Sequence, residues 1–175
     1  MPSNTDQPEY THQIPGNITA VGAFVVRDER VLVVRLTYGP TEGRYSLPGG
    51  WQDVGEELDT AAVREVREET GVEARCIGMI GMRTRTDRDP ERTIVDLMWL
   101  LEHESGEPHP RDGEADDARY MPFDEVLGRD DVEEIVRFLI DRYRDGALRH
   151  LCLVGKNVDE TDRNTEKPEE WKLFA

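Results

Sequence analysis

The stretch Gly50 to Val72, GWQDVGEELDTAAVREVREETGV, decides how the rest of this chain is read. Leu58, Ala61, Ala62 and Val66 recur at helical spacing and, at about 100° per residue, mark one apolar face. Glu65 and Glu69 project onto that same face. Measured from Leu58 they lie at about −20° and about +20°, with Glu68 at about −80°, so three acids share an arc of roughly 100°. The arrangement is costly. Like charges repel at i, i+3 and i+4, the acids occupy the half of the helix where the macrodipole is negative, and partial burial strips water from them. A solvated acidic face would not share its phase with apolar residues, so the pattern calls for an offsetting positive charge. A hard divalent cation, Mg²⁺ or else Mn²⁺, is the natural one, because Mg²⁺ takes oxygen ligands, keeps several waters and shares its shell with substrate phosphates. Gly49, just upstream in LPGG, brings backbone near the same ion.

The segment resembles the signature of the Nudix family at each fixed position: Gly50, Glu56, Arg64, Glu65, Val66, Glu68, Glu69, Gly71 and Val72. Even in an acidic chain, a chance match is on the order of one in a hundred thousand or rarer. Ile18 to Val26 and Val31 to Leu36 read as paired strands around the polar turn Arg27 to Arg30, and RYSLPGG leads into the signature as it commonly does in that family. ARYMPFDEV, Ala118 to Val126, is similar to the family's segment that follows the last sheet strands and opens a final helix. The resemblance covers most of residues 18 to 145. It implies an α/β fold, an α/β/α sandwich with a mixed central sheet flanked by helices, and a metal-dependent hydrolase acting on a pyrophosphate bond.

Composition sets outer bounds. At 175 residues the chain suits one domain with tails: a polar arm over residues 1–16, the main domain over 17–145, and an extension over 146–175. No apolar run is long enough to span a membrane, and MPSNTDQPEYTHQ lacks the features of a secretory signal, so the expectation is a cytoplasmic protein without membrane contact. Cys76 and Cys152 lie far apart and suit reduced structural thiols. The net charge of −16 is spread along the chain and repels extended nucleic acid, favouring a small nucleotide carried in with metal. Basic residues are nearly all Arg, with only Lys156, Lys167 and Lys172 as lysines. That balance fits a salt-rich cytoplasm, and equally an Arg-favouring genome with an ordinary acidic surface.

Glu73 to Arg83 and Thr93 to Leu101 are the next expected strands, with TRTDRDPE a polar loop between them. GEPHPRDGEADD, Gly106 to Asp117, reads as a long loop. Val132, Ile135, Val136, Leu139, Ile140 and Tyr143 keep helical spacing, and HLCLV after Gly146 suggests a short strand. Terminal Trp171, Leu173 and Phe174 are apolar enough to dock, on a second subunit of a homodimer or on their own sheet.

Chemistry assigns Glu65, Glu68 and Glu69 to metal binding, with Glu65 the first candidate for the base that deprotonates water. The resemblance adds Glu114, six residues before Tyr120, as a further ligand or alternative base, with Asp116 and Asp117 close rivals. Arg64 reaches Glu68 at i+4 and suits orienting the carboxylates better than clamping phosphate; Glu56 suits pairing with it or lying near the metals. Gly71 supplies the left-handed turn that stops the helix. Trp51 reads as a stacking surface for a base or, like Trp99, as a core aromatic. Arg83 and Arg85 read as phosphate grips or as a solvated strand edge. Nothing decides the substrate; a nucleoside triphosphate or a nucleotide sugar such as ADP-ribose is the economical expectation. An RNA 5′-end pyrophosphohydrolase and a non-catalytic nucleotide sensor are the alternatives. An isopentenyl-diphosphate isomerase would need an activated thiol that neither EARCIGM nor HLCLVG offers.

Overall fold

The computed structural model describes residues 18–39, 41–86, 93–111, 113–159 and 169–174, with 153–159 and 169–174 described by backbone alone. The expected N-terminal arm and most of the polar loop TRTDRDPE lie outside these residues. Two strands open the chain, β1 (Ile18–Arg27) and β2 (Arg30–Leu36), paired antiparallel through Asp28 and Glu29. Both turn residues hold positive φ, 50° and 56°. A two-residue connection of that hand matches the right-handed twist of the flanking strands, at a conformational cost because neither residue is glycine.

Short strands β3 (Tyr45–Ser46) and β4 (Gly49–Trp51) lead into helix α1 (Leu58–Thr70), then the long pair β5 (Glu73–Thr86) and β6 (Thr93–Ser105). Next come β7 (Ala115–Pro122), α2 (Phe123–Gly128), α3 (Glu134–Arg144) and a separate hairpin, β8 (Leu153–Asp159) with β9 (Glu169–Phe174). The main sheet has seven strands in the order β3-β2-β1-β6-β5, with β4 on β1 and β7 on β2. It is mixed, since β1 and β6 run parallel and the other pairs antiparallel.

Alternation along β1 explains why its sequence is apolar almost throughout. Val21, Ala23 and Val25 pack with Ala61, Ala62 and Val66 of α1, while Phe24 packs on the other side with Val136, Leu139 and Ile140 of α3. A strand covered on both faces buries both parities. The small Ala61 and Ala62, both fully buried, let α1 approach the sheet closely and set the height of its carboxylates above β4.

Several expected boundaries move. ARYMPFDEV does not follow the last strand of the main sheet; its first half is that strand, β7, registered along β2 from Arg30↔Pro122 to Leu36↔Ala115, and only Phe123 onward is helical. The expected loop Gly106 to Asp117 therefore ends inside β7. Val132 precedes α3 and bridges to Tyr45. Within HLCLV, Leu151 exchanges backbone hydrogen bonds with Met79 at 2.8 and 3.1 Å, covering part of the outer edge of β5, and β8 begins two residues later. The side chains of Trp171, Leu173 and Phe174 lie outside what is described. No helix among the described residues is long and apolar enough to cross a membrane.

The left-handed Glu29 costs energy that glycine would not. Glu29→Gly is expected to raise stability by about 1 kcal/mol, read as a higher unfolding midpoint in urea. A lowered midpoint would mean that the unfolded chain's gain in entropy outweighs the relief of the turn.

Candidate functional site

The site is built around Arg64, whose five N–H donors all have acceptors. Its Nε and one Nη hydrogen of the second terminal nitrogen fork onto Glu56, both at 2.9 Å. The other hydrogen of that nitrogen reaches the Trp51 carbonyl at 3.0 Å, and Nη1 reaches Glu65 at 2.8 Å and Glu68 at 3.0 Å. A planar guanidinium presents just this number of donors in a fixed fork, so none remains to grip a phosphate. Glu56 is therefore an ion-pair partner of Arg64, held in turn by the Asp53 backbone N–H at 3.2 Å. Arg64 holds Glu56 below the usual carboxylate range and is itself held above its ordinary value by these acids.

Glu69 is 2 % exposed and accepts the Gly49 N–H at 2.9 Å. Glycine is required on the facing strand. A Cβ on Gly49 would stand 2.2 Å from the Val21 carbonyl oxygen, and one on Gly50 would stand 2.5 Å from Glu65 Oε1. Glu65 is half-buried, and burial pushes its pKa up against the pull of Arg64; the charges of Glu68 and Glu114 add to the rise. Among the described residues no three His, Cys, Asp or Glu side chains are gathered closely enough to hold an ion as they stand. The donor chemistry nonetheless suits a hard divalent cation. Every ligand offered is a carboxylate oxygen, and the single charge of Arg64 faces the three carboxylates it bonds, Glu56, Glu65 and Glu68.

Glu114 lies on the approach to β7 and accepts the Tyr38 hydroxyl at 2.9 Å. Its charge adds to the rise in the Glu65 pKa, whereas Asp116 pairs with Arg35 and Asp117 accepts the Tyr45 hydroxyl. Gly71, at φ 73°, ends α1 in the left-handed conformation, with its N–H on Arg67 O. Two further helix-end carbonyls are met from the loop after β6. His109 N–H donates to Thr70 O at 2.9 Å and Arg111 N–H to Glu69 O at 3.2 Å. Pro108 and Pro110, which have no N–H, alternate with these two donors in the sequence EPHPR. Arg67, His109 and Arg111 with Glu68 line an open cleft of about 680 Å³ on this side.

The Trp51 carbonyl joins the Arg64 network, whereas Arg83 and Arg85 bond to Asp96. Trp51 ends β4, half exposed, opposite Ala20; Ala20 pairs with Asp96 and Asp96 with Arg83, so these side chains form one row across the sheet. Arg83 and Arg85 both donate to Asp96, at 2.7 and 3.0 Å. Trp99 is core, 1 % exposed. Asp96 was not singled out from the sequence, although an acid inside TIVDLMWLL facing two arginines at alternate positions is a legible signal. The apolar cleft of about 370 Å³ beside this row, between β5, β6 and α3, is lined by Ile80, Met82, Arg83, Met98, Phe138 and Leu148 among others.

The NUDIX domain family model matches residues 16–143, and the chain belongs to the Nudix family. The ADP-ribose pyrophosphatase of Methanocaldococcus jannaschii is 32 % identical over 88 residues, covering 50 % of this chain and 52 % of that protein. The NAD-capped RNA hydrolase NudC of Pseudomonas aeruginosa is 34 % identical over 140 residues, covering 78 % of this chain and 48 % of its own length. The chain thus spans about half the length of these curated relatives. A Nudix hydrolase structure from Nitrosomonas europaea superposes with TM-score 0.67 at 23 % identity, over 77 % of this chain and 93 % of that one, and shares the fold.

Arg64→Lys leaves too few donors for the five acceptors and strands Glu56 partly buried. It is expected to lower stability by about 1–3 kcal/mol, read from urea midpoints. Because the folded pKa of Glu56 is depressed, its pairing adds stability above the ordinary carboxylate pKa, lost as pH falls through the lower folded value. The gap in midpoint between wild type and Glu56→Gln should therefore be wide at pH 7 and shrink below about pH 4. A gap that stays constant would remove the ion pair as its cause.

Proposed function

We propose that the protein is a Mg²⁺-dependent pyrophosphohydrolase that cleaves the phosphoanhydride of a nucleoside diphosphate linked to another group, with ADP-ribose the first substrate to test and Mn²⁺ an alternative metal. The observation that carries this is the carboxylate cluster on one face of α1, one guanidinium against several acids, pressed onto glycine backbone at β4. The M. jannaschii relative supports the choice of ADP-ribose.

Glu65, Glu68 and Glu69 would hold the metal, with the backbone at Gly49 and the carboxylate of Glu114 beside them. Mg²⁺ when bound neutralises phosphoanhydride oxygens and makes a water more acidic. Glu65, already reluctant to ionise, is the first candidate to accept the proton of the attacking water, and Glu114 is the alternative. Arg64 positions Glu65 and Glu68 and does not touch substrate. Trp51, Arg83 and Arg85 hold the remainder of the nucleotide, Trp51 by stacking on it and the arginines by the donors that Asp96 leaves.

A second reading, hydrolysis at an RNA 5′ end, is favoured by the NudC match over 78 % of the chain and opposed by the net charge of −16.

Turnover of ADP-ribose, NADH, nucleoside triphosphates and a capped oligonucleotide, each with Mg²⁺ or Mn²⁺ and in high KCl, tests the reading. Glu69→Gln should abolish metal-dependent product release by about 10³-fold or more while the chain stays folded by circular dichroism. Binding without turnover in the wild type would make this a sensor instead. Trp51→Ala is expected to raise KM by about tenfold with a smaller effect on kcat; an unaltered KM would remove the stacking role.

A further inference from the structure

We propose that Tyr38 is the positioning residue for Glu114, its hydroxyl fixing that carboxylate for the metal-binding set that Glu65, Glu68 and Glu69 supply. This rests on the carboxylate cluster being the metal-dependent pyrophosphate-cleaving site, and it adds to that site a residue from the turn between β2 and β3.

Glu114 is held at both ends by two consecutive residues. Thr37 takes its main chain. The Thr37 N–H donates to the Glu114 carbonyl at 2.9 Å, and the Thr37 hydroxyl is shared between that carbonyl, at 2.9 Å, and the Gly113 carbonyl, at 3.1 Å. Tyr38 takes the side chain, its hydroxyl donating to Glu114 Oε2 at 2.9 Å. A glutamate has several rotatable bonds over which to spread its carboxylate, and fixing the backbone and the head group together leaves it few arrangements.

The strands put this clamp on the side where α1 lies. Beyond the irregularity at Arg35/Leu36, β2 and β7 return to register with Leu36 opposite Ala115, and the Thr37 bond carries the ladder one residue further, to Glu114. Along β2, Leu32 shares its core with Ala61, Ala62 and Val66 of α1, and Val34 and Leu36 continue the same parity against Ala115 and Ala118. Tyr38 is the next residue of that row. Its turn is closed by the Leu36 N–H on Arg44 O at 3.1 Å and the Gly43 N–H on Leu36 O at 2.8 Å. From this place the charge of Glu114 reaches Glu65, whose pKa it helps to raise.

The kind of donor matters. The two acids that follow, Asp116 and Asp117, each meet an arginine, Arg35 at 2.6 Å and Arg119 at 3.4 Å. An arginine cancels charge that draws a divalent cation, whereas a phenol donates without bringing charge of its own. Tyr38 is 54 % exposed, so its ring is not there to fill the core. Partners behind a metal-binding side chain orient it, and their loss lowers metal affinity or activity by about 10–100-fold.

Tyr38→Phe keeps the ring and removes the donor. Mn²⁺ titrated into the full chain without nucleotide, followed by electron paramagnetic resonance, should bind about tenfold more weakly to Tyr38→Phe and to Glu114→Gln, and the double variant should be no weaker than Glu114→Gln alone. In turnover of the nucleotide that wild type hydrolyses, Tyr38→Phe should lower kcat by about tenfold and change KM by less than about twofold, again with no effect on top of Glu114→Gln. Unchanged Mn²⁺ affinity or kcat in Tyr38→Phe overturns the proposal. So does a loss that repeats in full on top of Glu114→Gln, because Tyr38 then acts without Glu114. Glu69→Gln separates the two failures. If it weakens Mn²⁺ binding while Tyr38→Phe does not, the role of Tyr38 alone falls; if it too leaves the affinity unchanged, the carboxylates are not the metal site and both readings fall. Should no nucleotide be hydrolysed, the proposed activity fails, while the Mn²⁺ affinities still decide the role of Tyr38.

Discussion

One guanidinium ties together the strand end, the loop and the helix that form the site. Arg64 takes its acceptors from Trp51 on β4, Glu56 in the following loop, and Glu65 and Glu68 on its own helix, so the relative placement of three segments reduces to one planar fork. Partly buried polar networks of this sort are specific when every member is satisfied and costly when one is missing. The same network leaves the cluster with a surplus of negative charge. Arg64 therefore orders the carboxylates without neutralising them, and Glu65, whose pKa is raised first by burial, also feels the charges of Glu68 and Glu114.

The close approach of helix to strand depends on small residues on both sides. Ala61 and Ala62 bring α1 down on the sheet, and Gly49 and Gly50 leave room for the side chains that arrive. The Gly49 N–H donates to Glu69 and offsets part of that buried acid's desolvation penalty. Packing and chemistry are set by the same four residues.

Much of this was readable from the sequence because α1, β1, β2 and α3 announce themselves by local periodicity. The phase of Glu65 and Glu69 among Leu58, Ala62 and Val66 places them on the packed side. β7 was not readable, because ADDARYMP places charged residues among its buried ones, Ala115, Ala118, Tyr120 and Met121, and declares itself only against β2, about 85 residues away. The roles of Asp96 and of the His109 and Arg111 amides escaped for the same reason, since their partners are supplied by tertiary structure. Trp51 and Trp99 could not be told apart by type, and their strand registers separate them.

The alternation Pro108, His109, Pro110, Arg111 anchors the end of α1 through main-chain groups alone. An anchor of that kind is indifferent to the side chains that the same residues carry. Descendants of this chain can exchange the chemistry displayed at 109 and 111 while the helix end stays tied, provided neither position becomes proline. The chemistry lining the cleft is thus free to diverge along a lineage while the carboxylate helix is inherited intact.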